Sequence, residues 1–224
     1  MSKKPIKKSD ANKVWMKERR DGRRMIAPEY HLIVTEGTKT EPNYFEKMRD
    51  EINQKHRNSI SVRIEGIGQG TNTLTLLEKA QKIVSDSPIE FKHVWLVYDK
   101  DDFPKDDFDN TYYKCKSLSD QDDSITYHAL WSNECIEYWF ILHFELLQAA
   151  VSRKDYYPKL SEHLGSKYEK NRTDIYSVLK PNLEIAIRNA SMVAKKNKDL
   201  PPSKCMPGTA VYEIFEKLMP YLKQ

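Results

Sequence analysis

Three cysteines, seven glycines and no long apolar run limit what this 224-residue chain can be. Cys115, Cys135 and Cys205 are odd in number and widely spaced, so they supply neither a disulfide framework nor a zinc-ligand pattern. That scarcity fits a reducing compartment, and the expected location is the cytoplasm. No stretch approaches the ~18 apolar residues of a membrane span, so no membrane is expected among its partners. The opening "MSKKPIKKSD" carries charge without an apolar segment behind it, which is not the pattern of a secretory signal. The glycines form no dinucleotide fingerprint either. "GIGQG" at 66–70 resembles a phosphate loop but lacks the Gly-x-Gly-x-x-Gly spacing, and it reads as a turn.

Charge is abundant but uneven. Residues 1–24 hold ten Lys or Arg and three acids, a balance of +7, while the chain as a whole carries +4; the remainder is therefore at −3. The basicity belongs to an arm, residues 1–28. Such an arm is either a solubilising tail or a contact for nucleic-acid phosphates, where counterion release favours binding.

From residue 29 short apolar runs alternate with helical stretches. Strands are expected at 30–36, 60–66, 92–98 and 125–131, and helices at about 42–55, 73–85 and 107–118. Strand–helix alternation at this spacing predicts an α/β fold with a mostly parallel central sheet flanked by helices. After residue 132 only helices are expected, at about 133–148, 155–163, 171–179, 183–197 and 208–222. The chain thus divides into the arm, a core over 29–150 and a helical C-terminal extension over 151–224 packed on the core.

Functional groups in open parallel sheets collect beyond the carboxyl ends of the strands. The first strand ends "LIVTE" at Glu36, and the third ends "WLVYDKDD" at Asp99, followed by Asp101 and Asp102. In a 2-1-3-4 order Glu36 and Asp99 are neighbours. Asp99 and Asp101 alternate and can point the same way in an extended segment, whereas Asp102 points elsewhere. Carboxylates meeting in this way repel unless a cation lies between them, and hard oxygen ligands suit Mg²⁺ or Mn²⁺. Acids that merely begin a solvated loop are the plainer alternative.

"VTEGTKTEPNYF", "WLVYDKDDF", "SNECIEYWFILHF" and "PGTAVYEIF" resemble, in order, the motifs of the RloB-like family, and the likeness spans about residues 30–220. The Glu-Gly strand end followed by Asp-x-Asp also looks like the Toprim domain of topoisomerases, primases and OLD-type nucleases. The resemblance implies a Toprim-like catalytic core and a metal-dependent nuclease acting on DNA or a structured RNA such as tRNA. It implies antiviral defence, often beside an AAA-type ATPase, with a homo-oligomer as a further possibility. It gives Glu36 the role of general acid or base, or of a shared metal ligand, and Asp99 and Asp101 the holding of Mg²⁺. One departure is visible: the family commonly has Pro-Cys after Ser-Asn, where this chain has Glu134-Cys135.

Around that core the residues suggest supporting roles. Gly37, Thr38 and Lys39 fall between the first strand and its helix, where backbone N–H groups attract anions and a lysine can hold a phosphate. Ordinary helix-start chemistry accounts for Thr40, Glu41 and Pro42 equally well. In "NECIEYWFILHFELL", Asn133 is expected to cap a buried helix, with Glu137 about 6 Å along it and His143 about 15 Å. Glu137 is then within reach of a metal site's surroundings, and His143 reads as a core histidine. Lys195, Lys196, Lys198 and Lys204 form either a basic lip or a solvated face. A non-catalytic partner that binds nucleic acid or an ATPase is the rival to a nuclease. A phosphatase with a nucleophilic aspartate would prefer Asp-x-Asp-x-Thr or Val, which "DKDDF" does not supply.

Overall fold

The computed structural model describes residues 28–68, 72–100 and 105–223. The basic arm up to residue 27, and Asp101 and Asp102, lie outside these described residues, as do residues 69 and 70 of the "GIGQG" turn and residue 71 after it.

All four expected strands form close to their predicted bounds. They are β1 (Glu29–Thr35), β2 (Ile60–Gly66), β3 (Phe91–Asp99) and β4 (Thr126–Asn133). Between them run α1 (Thr40–His56), α2 (Thr73–Asp86) and α3 (Lys105–Gln121). The sheet order is β2-β1-β3-β4-β5, with the first four strands parallel. Parallel strands with both faces covered need near-continuous apolar runs. β1 supplies one, and its residues divide by parity: Ile33 faces one core, Leu32 and Val34 the other. The Leu32 side packs under α2 and α3 through Leu76, Leu77, Ala80, Phe108 and Cys115. The Ile33 side receives α1 and the C-terminal helices. This is the α/β arrangement expected, and it is compatible with a Toprim-like core.

The second half departs from the all-helical expectation in three places. The helix expected at 133–148 is only α4 (Glu137–Ile141). The Leu142 carbonyl, which would continue the ladder, accepts instead from the Asn189 amide at 2.9 Å, and the Tyr138 hydroxyl donates to Leu147 O at 2.8 Å. The helix expected at 171–179 shrinks to α6 (Ile175–Leu179), after α5 (Arg153–Leu164) and before α7 (Leu183–Lys196). The helix expected from 208 begins later, as α8 (Tyr212–Leu222), because Gly208 and Thr209 form β5. β5 is antiparallel to β4, pairing Thr209 with Ser132 and Gly208 with Asn133. Gly208 is required there: a Cβ would stand 2.8 Å from the Cys205 carbonyl oxygen.

The sheet's outer edge is also managed. On β2 the Asn53 side chain accepts from Val62 N at 2.8 Å and donates to Val62 O at 2.9 Å, occupying backbone groups that an edge strand leaves open.

Candidate active site

The carboxyl ends of β1 and β3 lie side by side. Thr35 pairs with Val97, and the Glu36 N–H donates to the Val97 carbonyl at 3.0 Å. From the other side Gly68 N donates to Glu36 O at 3.2 Å, so the Glu36 backbone is held between β3 and the segment after β2. Gly68 takes φ +94°, a conformation open to glycine, to make that return. Asp99 is the last residue of β3 and is 5% exposed, opposite Ser132 of β4. The two acids singled out in the sequence are therefore brought to one edge. Glu36 is half-buried and Asp99 buried.

A third carboxylate comes from β4's continuation. Glu137, at the start of α4, is fully buried, and its Oε1 accepts from the Tyr168 hydroxyl at 3.2 Å. Its Oε2 has no hydrogen-bond partner among the described residues. Burial, then the charges of Glu137 and Asp99, push the Cys135 thiol well above its usual range, so both carboxylates act on the same buried sulfur. Burial and Glu137 push the Tyr168 hydroxyl up in the same way.

Asn133 does not cap the helix. It ends β4, and its amide donates to the carbonyls of Pro202 and Ser203, each at 3.3 Å. Asp109 on α3 grips the same turn, accepting from Ser203 N at 2.8 Å and from its hydroxyl at 2.6 Å. Asn133 thus fixes the 202–204 turn, with Lys204 exposed on it, at the edge where the acids gather.

Gly37 is half-buried, while Thr38 and Lys39 are exposed at the head of α1. Lys39 is the N-cap by position and makes no side-chain cap. The Thr40 hydroxyl instead donates to Lys170 O at 2.8 Å, and Asn43 donates to Asn171 O at 3.1 Å. These bonds seat the segment after α5 against the start of α1. Helix-start chemistry alone does not account for Glu41. Its carboxylate is buried and folds back over Gly37, where a Cβ would stand 2.1 Å from Glu41 Oε2. Tyr168, Lys170 and Glu41 are the neighbours that sequence reasoning missed.

His143 is a core residue as expected, buried with Nδ1 against Trp139 O at 3.0 Å.

A second cluster occupies the opposite edge of the sheet. Glu29, His31 and His93 are the one trio among the described residues whose ligand atoms lie within 4.8 Å of one another. The hydrogen bonds argue against a metal there. The Trp95 indole can only donate, and its N–H reaches His31 Nδ1 at 3.0 Å. His31 therefore carries its proton on Nε2 and donates it to Glu29 Oε1 at 2.9 Å. A metal at that nitrogen would require an anionic imidazolate. His93 extends the chain to His128, 3.0 Å away, which stacks on Trp95 at 3.7 Å between ring centroids. Burial first, then neighbouring histidines, lower His93 to about 4 and His128 to about 3. The histidines form a neutral hydrogen-bonded floor under the sheet, with the Glu29 carboxylate at its rim.

A family profile described as RloB-like protein matches residues 31–218, most of the chain. The chain belongs to the RloB-like family. No curated protein and no solved structure matches it. The matched span covers both halves of the candidate site of this RloB-like chain, from the strand end at Glu36 to the turn held by Asn133. No helix among the described residues is long and apolar enough to cross a membrane.

Proposed function

We propose that this RloB-like protein is a metal-dependent nuclease, cleaving phosphodiester bonds of DNA or a structured RNA such as tRNA. The observation that carries the reading is the meeting of Glu36 and Asp99 at adjacent strand ends, with buried Glu137 close by and one of its oxygens without a partner among the described residues. Oxygen donors of this kind fit Mg²⁺ or Mn²⁺ rather than a softer ion. Glu36 and Asp99, with Asp101 from the segment outside the described residues, would hold the ion. Bound there, it would stabilise charge on the phosphate and lower the pKa of a water.

The chain's own groups do the rest. Glu36, whose backbone is bonded on both sides, would take or give a proton at the attacking or leaving oxygen. Lys39 and the backbone of Gly37 and Thr38 sit at the head of α1, where a phosphate is favoured by N–H groups and a point charge. Glu137 orients the site from behind, itself held by Tyr168. The biological role we assign is that of an effector in prokaryotic antiviral defence, working with an AAA-type ATPase.

The test is cleavage of plasmid DNA and total tRNA by purified protein in Mg²⁺ or Mn²⁺, beside Asp99→Ala. Cutting that needs metal and is lost in the variant supports the reading. Cutting that survives the substitution overturns it, as does silence from wild type both alone and with the ATPase added.

A further inference from the structure

Two tyrosines connect the buried Glu137 carboxylate to solvent. Tyr168 is 6% exposed and bonded to Glu137, and its ring lies 5.5 Å, centroid to centroid, from that of Tyr157 at an angle of 46°. Tyr157 is 37% exposed, the outer member of the pair. Neither ring hangs on a loose support. Ser152 and Asp155 close a capping box at the start of α5, and Gly165 ends that helix in the left-handed conformation. The Ser161 hydroxyl donates to Tyr157 O at 2.7 Å and accepts from Tyr168 N at 2.9 Å, tying helix and following loop together.

Two cations act on the outer ring's hydroxyl. Burial and the Glu137 charge push the Tyr157 hydroxyl up, while Lys170 and Arg153 pull it back, which places all three charges within its reach. Lys170 is exposed and fixed through its carbonyl to Thr40, four positions beyond Glu36. Lys39 is exposed on the same helix start. The outer ring is an exposed aromatic face near cationic side chains, linked through Tyr168 to the buried Glu137 carboxylate.

We propose that Tyr157 is the stacking platform for an unpaired base next to the phosphate handled by Glu36 and Asp99, so that the substrate is a single-stranded or unpaired stretch of nucleic acid. This rests on the nuclease reading above and narrows its substrate class. The physical reason is access: in a continuous duplex each base face is covered by its neighbours, whereas an unpaired base has a face to offer. Base–aromatic stacking contributes about 1–3 kcal/mol per base and tolerates any sequence, while backbone charge is neutralised by Lys and Arg.

Fluorescence anisotropy in EDTA, where metal-dependent cleavage does not intervene, tests the idea. The probes are fluorescein-labelled polypyrimidine single strands of RNA and of DNA and a blunt duplex of equal length. Wild type should hold a single strand more tightly than duplex, and the RNA and DNA arms show which sugar is preferred. Tyr157→Ala should weaken single-strand binding by about 5- to 150-fold and leave duplex binding unchanged. Tyr157→Phe should stay within about threefold, since the ring face is retained. Equal melting temperatures for the three proteins show that the fold is not the cause. Single-strand binding that ignores Tyr157→Ala overturns this inference while leaving the cleavage reading intact, and duplex bound as tightly as single strand does the same. Failure of wild type to bind any of the probes overturns the platform, and the cleavage assay then decides the nuclease reading by itself.

Discussion

The Tyr168 hydroxyl donates to Glu137 Oε1 across 31 positions of sequence, and it leaves Oε2 of that buried carboxylate without a partner among the described residues. A half-satisfied buried carboxylate is unfavourable for stability. Such a group is retained where function requires it.

Glu137→Gln separates the two contributions. The amide keeps the shape and can still accept from Tyr168, while the charge is removed. Thermal unfolding should show a melting temperature within a few degrees of wild type, since the shape and the Tyr168 bond are kept. Cleavage should fall by about 10- to 100-fold if the carboxylate orients the site. A variant that melts early yet cuts normally would make Glu137 a structural residue.

Metal binding should be visible in the melting curve before any substrate is added. At Mn²⁺ about tenfold above its dissociation constant, linkage adds about 1.4 kcal/mol, or roughly 3–5 °C for a chain of this size. Asp99→Ala should abolish most of that rise. Equal shifts in both proteins would locate the ion elsewhere.

The histidine floor predicts acid sensitivity. Unfolded, an imidazole takes its proton near pH 6.5. Folded, burial holds His93 down to about 4 and His128 to about 3. Between those values the unfolded chain binds more protons, so the contribution is full above pH 6.5 and is lost as pH falls through 4 for His93 and 3 for His128. His143, lowered to about 4 by burial, adds to the same loss. The total is of the order of several kcal/mol. Denaturant unfolding at stepped pH should show His128→Gln with a shallower fall, by up to about 1.4 kcal/mol per pH unit. A slope identical to wild type would show that His128 is not held neutral by the fold.

The strands and their acidic ends were legible because β-branched and aromatic runs stop at one carboxylate each, at Glu36 and at Asp99. The order β2-β1-β3-β4 then follows from placing those ends together. Three other features left no local mark. β5 is two residues long and carries no period of its own. α4 is apolar on nearly every face, so periodicity could not show that it stops at Ile141, where Asn189 takes the next carbonyl. Lys170 reaches the site through a bond to Thr40 that spans 130 positions, and no spacing rule joins the two. Asn133 illustrates the same limit from the other side. Its residue type suits a helix cap, but the Pro202–Lys204 turn competes for its amide and wins.

The core contains one polar bond whose worth can be measured without reference to function. Trp139 Nε1 donates to the Tyr44 hydroxyl at 2.8 Å, and both side chains are fully buried. Tyr44 also packs edge-on against Phe45, Tyr176 and Phe215, contacts that a phenylalanine would keep. Tyr44→Phe therefore removes little packing and strands one indole N–H, at a cost of about 1–3 kcal/mol. Trp139→Phe strands the Tyr44 hydroxyl and opens space besides, so it should cost more. The double variant strands neither group. Its loss should then be smaller than the sum of the single losses by about 1 kcal/mol or more in denaturant unfolding, the signature of two residues in direct contact. Strict additivity would mean that the bond contributes nothing and that α1 is held to α4 by packing alone.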